Sequence, residues 1–217
     1  MQEFASRRVN MVNGQILTNK VTDEKLAEAL LQVPREEFVP RAMRAVAYLD
    51  EDIPVADGRY LMEPMIFARM LEVVDIEPDD LVLDVGCGTG YSTAVMARLA
   101  ASVVALEENE EMSVRTDERL TAHNVDNAAV IAGPLAEGCP SQAPYNVIFV
   151  NGAVEFVPDA WTEQLADGGR MIVVVRRGSV GQAVLHVRAG EVVSSRPLFD
   201  ANVPLLPGFA KKAGFSF

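Results

Sequence analysis

The chain has 217 residues, 49% of them hydrophobic, and its 31 acidic and 19 basic side chains give a formal charge of −12. This length and apolar content allow a continuous core, so we expect a single domain over residues 1–217. The acidic balance argues against nucleic acid as a partner, because phosphate backbones are bound by clustered Lys and Arg. No apolar run approaches the ~20 residues that span a bilayer, and the N-terminal residues lack the apolar stretch of an export signal.

Two cysteines, Cys87 and Cys139, are present in the sequence. They are too few for a disulfide framework, and their spacing does not match a zinc site. We therefore expect a cytoplasmic protein with no bound metal and no membrane or nucleic-acid partner.

The first 60 residues are predicted to form a helical lead-in. Apolar residues repeat at helical spacing over residues 23–33, with Thr22 as the N-cap and Pro34 ending the helix. A further helix is predicted to begin at Pro64, where a proline in the first turn costs no hydrogen bond.

From residue 81 onward, short apolar segments alternate with amphipathic ones. The predicted strands are residues 81–85, 103–107, 128–132, 146–150 and 170–175. The predicted helices are residues 90–100, 109–123 and 157–166. Near-continuous apolar strands separated by helices are typical of an α/β fold with a doubly wound, mostly parallel sheet. Residues 182–188 and 191–196 are predicted to form a closing β-hairpin.

After the first of these strands, Gly86, Gly88 and Gly90 precede a predicted helix. Glycines at such a turn let the backbone bend tightly and bring N–H groups close to a ligand at the carboxyl end of the sheet. The pattern predicts a cofactor-binding loop. The alternative is a tight turn that binds no ligand.

The details of this loop favour S-adenosylmethionine over a dinucleotide. A dinucleotide loop requires Gly or Ala at position 91, where this chain has Tyr91. Asp84 places a carboxylate beside the loop, which would repel a pyrophosphate and suit a ligand with ammonium and sulfonium groups. We therefore expect S-adenosylmethionine as the cofactor, with an NAD-linked oxidoreductase as the alternative.

Glu107 ends the second predicted strand, 19 positions beyond Gly88. An acid at this place can accept hydrogen bonds from both hydroxyls of a ribose, in NAD sites as in S-adenosylmethionine sites. Glu107 also begins an acidic run with Glu108, Glu110 and Glu111, which is alternatively a solvated face and a helix N-terminus. Its position at the strand end favours the ribose.

Several motifs in chain order resemble the protein-L-isoaspartate O-methyltransferase family. Residues 34–40 (PREEFVP) are similar to its PRxxFVP, residues 47–52 (AYLDED) to its AYxD segment, and residues 83–91 (LDVGCGTGY) to its LEIGTGSGY. Residues 164–170 (QLADGGR) match its QLxxGGR. Gln182 matches a Gln that precedes a late strand in the family, and residues 203–205 (VPL) are similar to its closing FVPL.

This resemblance covers nearly the whole chain and implies a fold, a cofactor and a substrate. The fold is a seven-stranded, Rossmann-like methyltransferase sheet preceded by helices. The cofactor is S-adenosylmethionine, and the substrate is a protein or peptide with an isoaspartyl carboxylate. The resemblance implies cofactor-binding residues in the glycine loop, at the ribose and around the adenine: Asp84, Gly86, Cys87, Gly88, Thr89, Gly90, Glu107, Gly133, Pro134 and Leu135.

Three segments depart from the family's pattern. The family's GQxISQP is GRYLMEP at residues 58–64, which puts Met62 at the active-site serine and removes a hydroxyl that would bond the acceptor carboxylate. The family's GDGxxG is GPLAEG at residues 133–138, so Pro134 replaces an aspartate that helps to read adenine, leaving backbone and apolar contacts. The family's TAA is Asn-Gly-Ala at residues 151–153.

Methyl transfer from a sulfonium depends on alignment of donor and acceptor more than on acid–base groups. A carboxylate acceptor is ionised at neutral pH, which agrees with His123 and His186 lying outside the motifs. With Met62 at the serine position, we expect Arg59 or Tyr60 to bond the acceptor, and Arg59 first, because a guanidinium grips a carboxylate through two hydrogen bonds.

The alternatives without a catalytic role are that Met62 is a core residue and that Arg59 is a solvent-facing turn residue. At the level of function, the alternatives are a methyltransferase with another acceptor and a non-catalytic relative that only binds the cofactor. A further hypothesis is that residues 1–60 cap the pocket and order on ligand binding.

Overall fold

The computed structural model describes residues 2–211. The α-helices in this part of the chain are α1 (Gln2–Met11), α2 (Glu24–Gln32), α3 (Pro64–Val74), α4 (Tyr91–Met96), α5 (Glu110–Ala122) and α6 (Asp159–Glu163). The strands are β1 (Ile53–Ala56), β2 (Arg59–Leu61), β3 (Leu81–Val85), β4 (Ser102–Glu107), β5 (Ala128–Ala132), β6 (Tyr145–Val154), β7 (Leu165–Arg177), β8 (Val180–Ala189) and β9 (Val192–Asp200). No helix within the described residues is long and apolar enough to cross a membrane.

Seven strands form one sheet in the order β5-β4-β3-β6-β7-β8-β9. The strands from β5 to β7 are parallel, and β8 and β9 add an antiparallel hairpin at one edge. The chain winds outward from β3 in both directions, so the switch point lies at the carboxyl end of β3, where such sheets bind ligands. The predicted α/β class and closing hairpin are confirmed.

The sheet is buried on both faces. Val82 of β3 packs into one apolar cluster, whereas Leu83 and Val85 pack into another on the opposite face. Successive strand residues point to opposite faces, so β3 is apolar at every position except Asp84 because both faces are covered.

The predicted helix at residues 23–33 is α2, but its predicted cap is wrong. Asp23 is the N-cap, and its side chain accepts a hydrogen bond from the backbone N–H of Lys25 at 2.8 Å. Thr22 instead directs its hydroxyl and its N–H to the carboxylate of Glu72 on α3. The tertiary contact with Glu72 outweighs the local preference of Thr22 for capping.

The predicted helical lead-in also contains a β-hairpin. Strands β1 and β2 pair antiparallel, with Ile53 opposite Leu61, around a turn in which Gly58 has a φ of +64°. This hairpin brings residues 59–62 to the carboxyl edge of the main sheet. The helix predicted at 157–166 is shorter than expected, because the chain enters β7 at Leu165.

Candidate active site

The glycine loop connects β3 to α4 at the switch point of the sheet. Gly86, Gly88 and Gly90 have φ angles of +72°, +57° and +89°, in the left-handed region that glycine adopts most readily. The N–H groups of Gly86 and Cys87 donate to the carbonyl of Leu106 at 2.9 and 3.1 Å, which ties the loop to β4. The predicted glycines therefore bend the chain where β3 and β4 end.

Thr89 and Cys87 lie in the same loop. The Thr89 hydroxyl oxygen is buried and has no hydrogen-bond partner within residues 2–211. A buried hydroxyl without a partner costs free energy, so a ligand group that bonds Thr89 would stabilise the loop. Burial, reinforced by the nearby charges of Asp84 and Glu107, raises the pKa of the Cys87 thiol well above its usual value. Cys87 is therefore a small neutral side chain in the loop.

Asp84 is fully buried beneath the glycine loop. Its carboxylate accepts hydrogen bonds from the hydroxyls of Ser92 and Thr93 at 2.7 and 2.6 Å, and from the side-chain amide of Asn151. Burial raises the pKa of Asp84 to about 6 despite these bonds, which lower it. The carboxylate thus fastens α4 and β6 to β3, and its effect on a sulfonium ligand stays a prediction.

Glu107 is also fully buried, so it does not belong to the solvated acidic face that begins with exposed Glu108. One carboxylate oxygen accepts the N–H of Gly88 at 3.0 Å, and the other accepts the N–H of Asn109 at 3.2 Å. The loop and the start of α5 are therefore organised around this single carboxylate.

Arg59 forms an ion pair with Glu107. Its Nη1 donates to Glu107 Oε1 at 2.5 Å, and its Nη2 donates to the carbonyl of Gly86 at 2.8 Å. The Arg59 side chain is only 10% exposed, so it is not a solvent-facing turn residue. The carboxylate that Arg59 grips in this structure belongs to the protein, not to an acceptor.

A cavity of about 320 Å³ opens beside this ion pair. Its walls include Arg59, Glu107, Met112 and Leu135. The N–H of Gly133 donates to the carbonyl of Glu107 at 3.0 Å, so the segment that follows β5 starts beside the end of β4. The site residues predicted around the adenine, 133–135, thus lie next to the predicted ribose residue.

A second, smaller cleft lies between β2, β6 and the C-terminal segment. Tyr60, Met62, Asp52 and Asn151 line it. Met62 is buried at 5% exposure, whereas Tyr60 is 42% exposed. Residues 203–206 border the same cleft, because backbone hydrogen bonds attach this segment to β6.

Comparison with known proteins identifies the family. Residues 7–202 match the family described as protein-L-isoaspartate(D-aspartate) O-methyltransferase. A protein-L-isoaspartate O-methyltransferase of Koribacter versatilis is 40% identical over 184 residues, which are 85% of this chain and 82% of that protein. One of a Roseiflexus species is 34% identical over 210 residues, or 96% and 95% of the two chains. The chain belongs to the protein-L-isoaspartate O-methyltransferase family.

Solved structures of this family share the fold. One protein-L-isoaspartate O-methyltransferase is 26% identical with a TM-score of 0.81, over 93% of this chain and 66% of that one. A putative protein-L-isoaspartate O-methyltransferase from Plasmodium falciparum, in complex with S-adenosyl-L-homocysteine, has a TM-score of 0.80 over 92% and 97% of the two chains. At 18% identity it supports the fold alone. The predicted family and fold are confirmed.

The departures from the family's motifs fall at two places. Met62 and Asn151 meet in the small cleft, so the position of the family's serine faces the changed segment of β6. Pro134 lies apart from them, just after β5. Arg59 stands where the family has Gln, and its side chain reaches the predicted ribose residue. The departures therefore fall separately, at the small cleft and around the end of β4.

Acidic residues at the start of α3 were not predicted as part of the site. Asp52 and Asp50 accept the backbone N–H groups of Glu63 and Met65, both at 2.9 Å. Burial raises the pKa of Asp52 to about 6, and burial followed by repulsion from both aspartates raises that of Glu63 to about 7. The sequence signal was the run of three consecutive acids at residues 50–52, but the approach of Asp50 and Asp52 to Glu63 depends on the hairpin.

Proposed function

We propose that this protein transfers the methyl group of S-adenosylmethionine to an isoaspartyl carboxylate in proteins or peptides. The observation that carries the proposal is the pairing of a glycine loop with the buried carboxylate of Glu107 at the switch point of the sheet, in a member of this family. Cytoplasmic location and the absence of nucleic-acid and membrane partners stay predictions from composition.

The residues around the loop fit the cofactor. Thr89 offers a buried hydroxyl that has no partner among residues 2–211, and Glu107 is an acceptor suited to ribose hydroxyls. Gly86 and Gly88 keep the loop free of side chains where it faces Arg59 and the proposed methionine end, and Gly90 lets the loop pack against α5. Asp84 and Cys87 support the loop. Gly133, Pro134 and Leu135 would contact the adenine. When bound, S-adenosylmethionine supplies a methyl group already activated by its sulfonium.

The protein's own part in the reaction is to align the acceptor and exclude water. An isoaspartyl carboxylate is ionised at neutral pH and attacks without a general base. We assign the acceptor to the small cleft lined by Tyr60, Met62 and Asn151, where Met62 provides an apolar wall but no hydroxyl. Tyr60 lines this cleft, whereas Arg59 lines the cavity beside Glu107, so the phenol of Tyr60 is the donor that we assign to the acceptor carboxylate.

A transfer assay with labelled S-adenosylmethionine tests this function. The acceptors are an isoaspartyl peptide and its aspartyl twin, and cofactor binding is measured separately by calorimetry. We expect binding, and transfer to the isoaspartyl peptide only. Binding with equal transfer to both peptides, or with no transfer, would contradict the proposed acceptor, and failure to bind would contradict the cofactor.

The variant Tyr60→Phe tests the role of the phenol. It removes one hydroxyl from a half-exposed ring, so the fold should be unaffected. We expect KM for the isoaspartyl peptide to rise about tenfold, the loss of one hydrogen bond to a charged group, while the affinity for S-adenosylmethionine stays unchanged. An unchanged KM would remove Tyr60 from the site.

A further inference from the structure

The ion pair of Arg59 with Glu107 occupies part of the wall of the proposed cofactor cavity. Arg59 Nη1 lies 2.5 Å from Glu107 Oε1, and the Glu107 side chain is 0% exposed. The second guanidinium nitrogen, Nη2, is bonded to the carbonyl of Gly86 and lies 3.1 Å from where a Cβ on Gly86 would be. The guanidinium therefore fills the space between the acid and the glycine loop.

The hydrogen-bonding capacity of Glu107 is nearly used up. An ionised carboxylate has about four acceptor positions. Gly88, Asn109 and Arg59 each donate to it. Two ribose hydroxyls require two free positions, and only one is left while Arg59 stays in place. The guanidinium and a ribose therefore cannot both be fully bonded to Glu107.

We propose that Arg59, by its ion pair with Glu107, competes with the ribose of a nucleoside ligand for this carboxylate. This competition sets the affinity for the cofactor. The proposal rests on the proposed function, in which Glu107 holds the ribose. In the free protein the closed pair predominates, and a ligand binds only the fraction in which Arg59 has left Glu107. The apparent dissociation constant rises in inverse proportion to that fraction.

The variant Arg59→Gln restores the residue of the family's motif and tests the competition. Gln carries no charge and cannot form the ion pair, so the open fraction should increase. We expect calorimetry to show about 5- to 50-fold tighter binding of S-adenosylmethionine, the gain from opening a site closed in most molecules. Arg196→Gln on β9 is the matched control for loss of one positive charge. Four strands separate β9 from β4, so Arg196 lies about 24 Å away at the usual strand spacing.

S-adenosylhomocysteine and adenosine separate ribose competition from charge repulsion. Both carry the same ribose but lack the sulfonium. Ribose competition predicts that all three ligands gain affinity by a similar factor. A gain confined to S-adenosylmethionine would mean that Arg59 acts only by repelling the sulfonium, and it would overturn the proposal.

The remaining outcomes are also decisive. If Arg59→Gln binds the ligands no more tightly than the wild type does, the competition between Arg59 and the ribose would be overturned. The proposed function would stand, because the wild type binds the cofactor. Failure of the wild type and of both variants to bind any of the ligands would overturn both proposals. If Arg59→Gln does not fold in thermal unfolding assays, Arg59→Lys replaces it. A single ammonium cannot span both acceptors, so binding should again tighten, by a smaller factor.

Discussion

Glu63 is a carboxyl group whose ionisation opposes folding. Its pKa is raised from 4.5 to about 7 by burial and then by repulsion from Asp52 and Asp50. Between these two values the folded state binds more protons than the unfolded state. The free energy of unfolding therefore falls as pH rises from about 4.5 to about 7.

We expect Glu63→Gln to stabilise the protein in a pH-dependent way. Gln keeps the shape of the side chain and carries no charge at any pH. The gain in Tm over the wild type should be larger at pH 8 than at pH 5.5, as measured by thermal unfolding. Exposed Glu118 on α5 provides the control substitution Glu118→Gln. Equal gains at the two pH values would contradict the shift in the pKa of Glu63.

The residues of the proposed cofactor site differ in how far their arrangement could be predicted from the sequence. The glycine loop and Glu107 were recognisable because strand, loop and helix are adjacent in the chain. The partner of Arg59 was not, because 48 positions separate it from Glu107 and only the pairing of β1 with β2 brings them together. Local spacing predicts local geometry, whereas a long-range ion pair depends on the tertiary fold.

At the level of elements, Gly90 determines how closely α4 approaches α5. It precedes α4 with a φ of +89°, and a Cβ there would lie 2.8 Å from the Thr116 side chain of α5. We expect Gly90→Ala to lower the free energy of unfolding by about 2–4 kcal/mol, through backbone strain and the close contact. Urea denaturation measures the change.

Gly178 in the β7–β8 turn provides the matched control. Its φ is +65°, but no atom of the described part of the chain lies within 4 Å of a Cβ built there. Gly178→Ala should therefore cost only the backbone strain, about 1 kcal/mol. Equal losses for the two variants would show that the contact with Thr116 is relieved at no cost.

The start of α2 provides a second prediction at this scale. Asp23→Ala removes the acceptor for the N–H of Lys25 and should cost about 1 kcal/mol of stability, as N-cap losses usually do. Thr22→Ala loses only an exposed hydroxyl bond to Glu72 and should cost less. Urea denaturation of both variants compares them, and a larger loss for Thr22→Ala would make Thr22 the effective cap.

The strand predictions were most accurate where an apolar pattern extended over the usual length of a strand. Strands β3, β4 and β5 are predominantly apolar runs, and each lies within one residue of its predicted bounds. Strands β1 and β2 are four and three residues long, and a segment that short is recognisable as a strand only from its pairing. The hairpin that carries Arg59, Tyr60 and Met62 was therefore missed.

On the scale of the whole molecule, a buried arginine joins the lead-in to the sheet. Arg35 is 0% exposed, and it donates to the carbonyls of Ala47 and Met62 at 2.7 and 2.6 Å. Its guanidinium lies 4.9 Å from the ring centroid of Tyr91 on α4. Burial lowers the pKa of Arg35. One side chain thus connects the N-terminal segment, the β-hairpin and the helix that follows the glycine loop.

We expect Arg35→Leu to lower the free energy of unfolding by about 3 kcal/mol. The two buried carbonyls lose their donor, and each buried group left unpaired costs about 1–3 kcal/mol. Arg35→Lys keeps a cation without the planar fork and should lose less, whereas exposed Arg41→Leu should be nearly neutral. A loss for Arg35→Leu no larger than that for Arg41→Leu would mean that other contacts hold the lead-in.

The Arg35→Leu variant also tests whether residues 1–217 form one cooperative unit, which stays a prediction. The lone tryptophan, Trp161, is fully buried against the sheet face that carries α6, so its fluorescence reports on the sheet. Far-UV circular dichroism also reports on the helices of the lead-in. If the chain is one domain, both signals change at the same urea concentration in the wild type and in Arg35→Leu, because the lead-in cannot unfold alone. Earlier loss of helix in the variant would divide the chain into a lead-in that detaches and a sheet that stays folded.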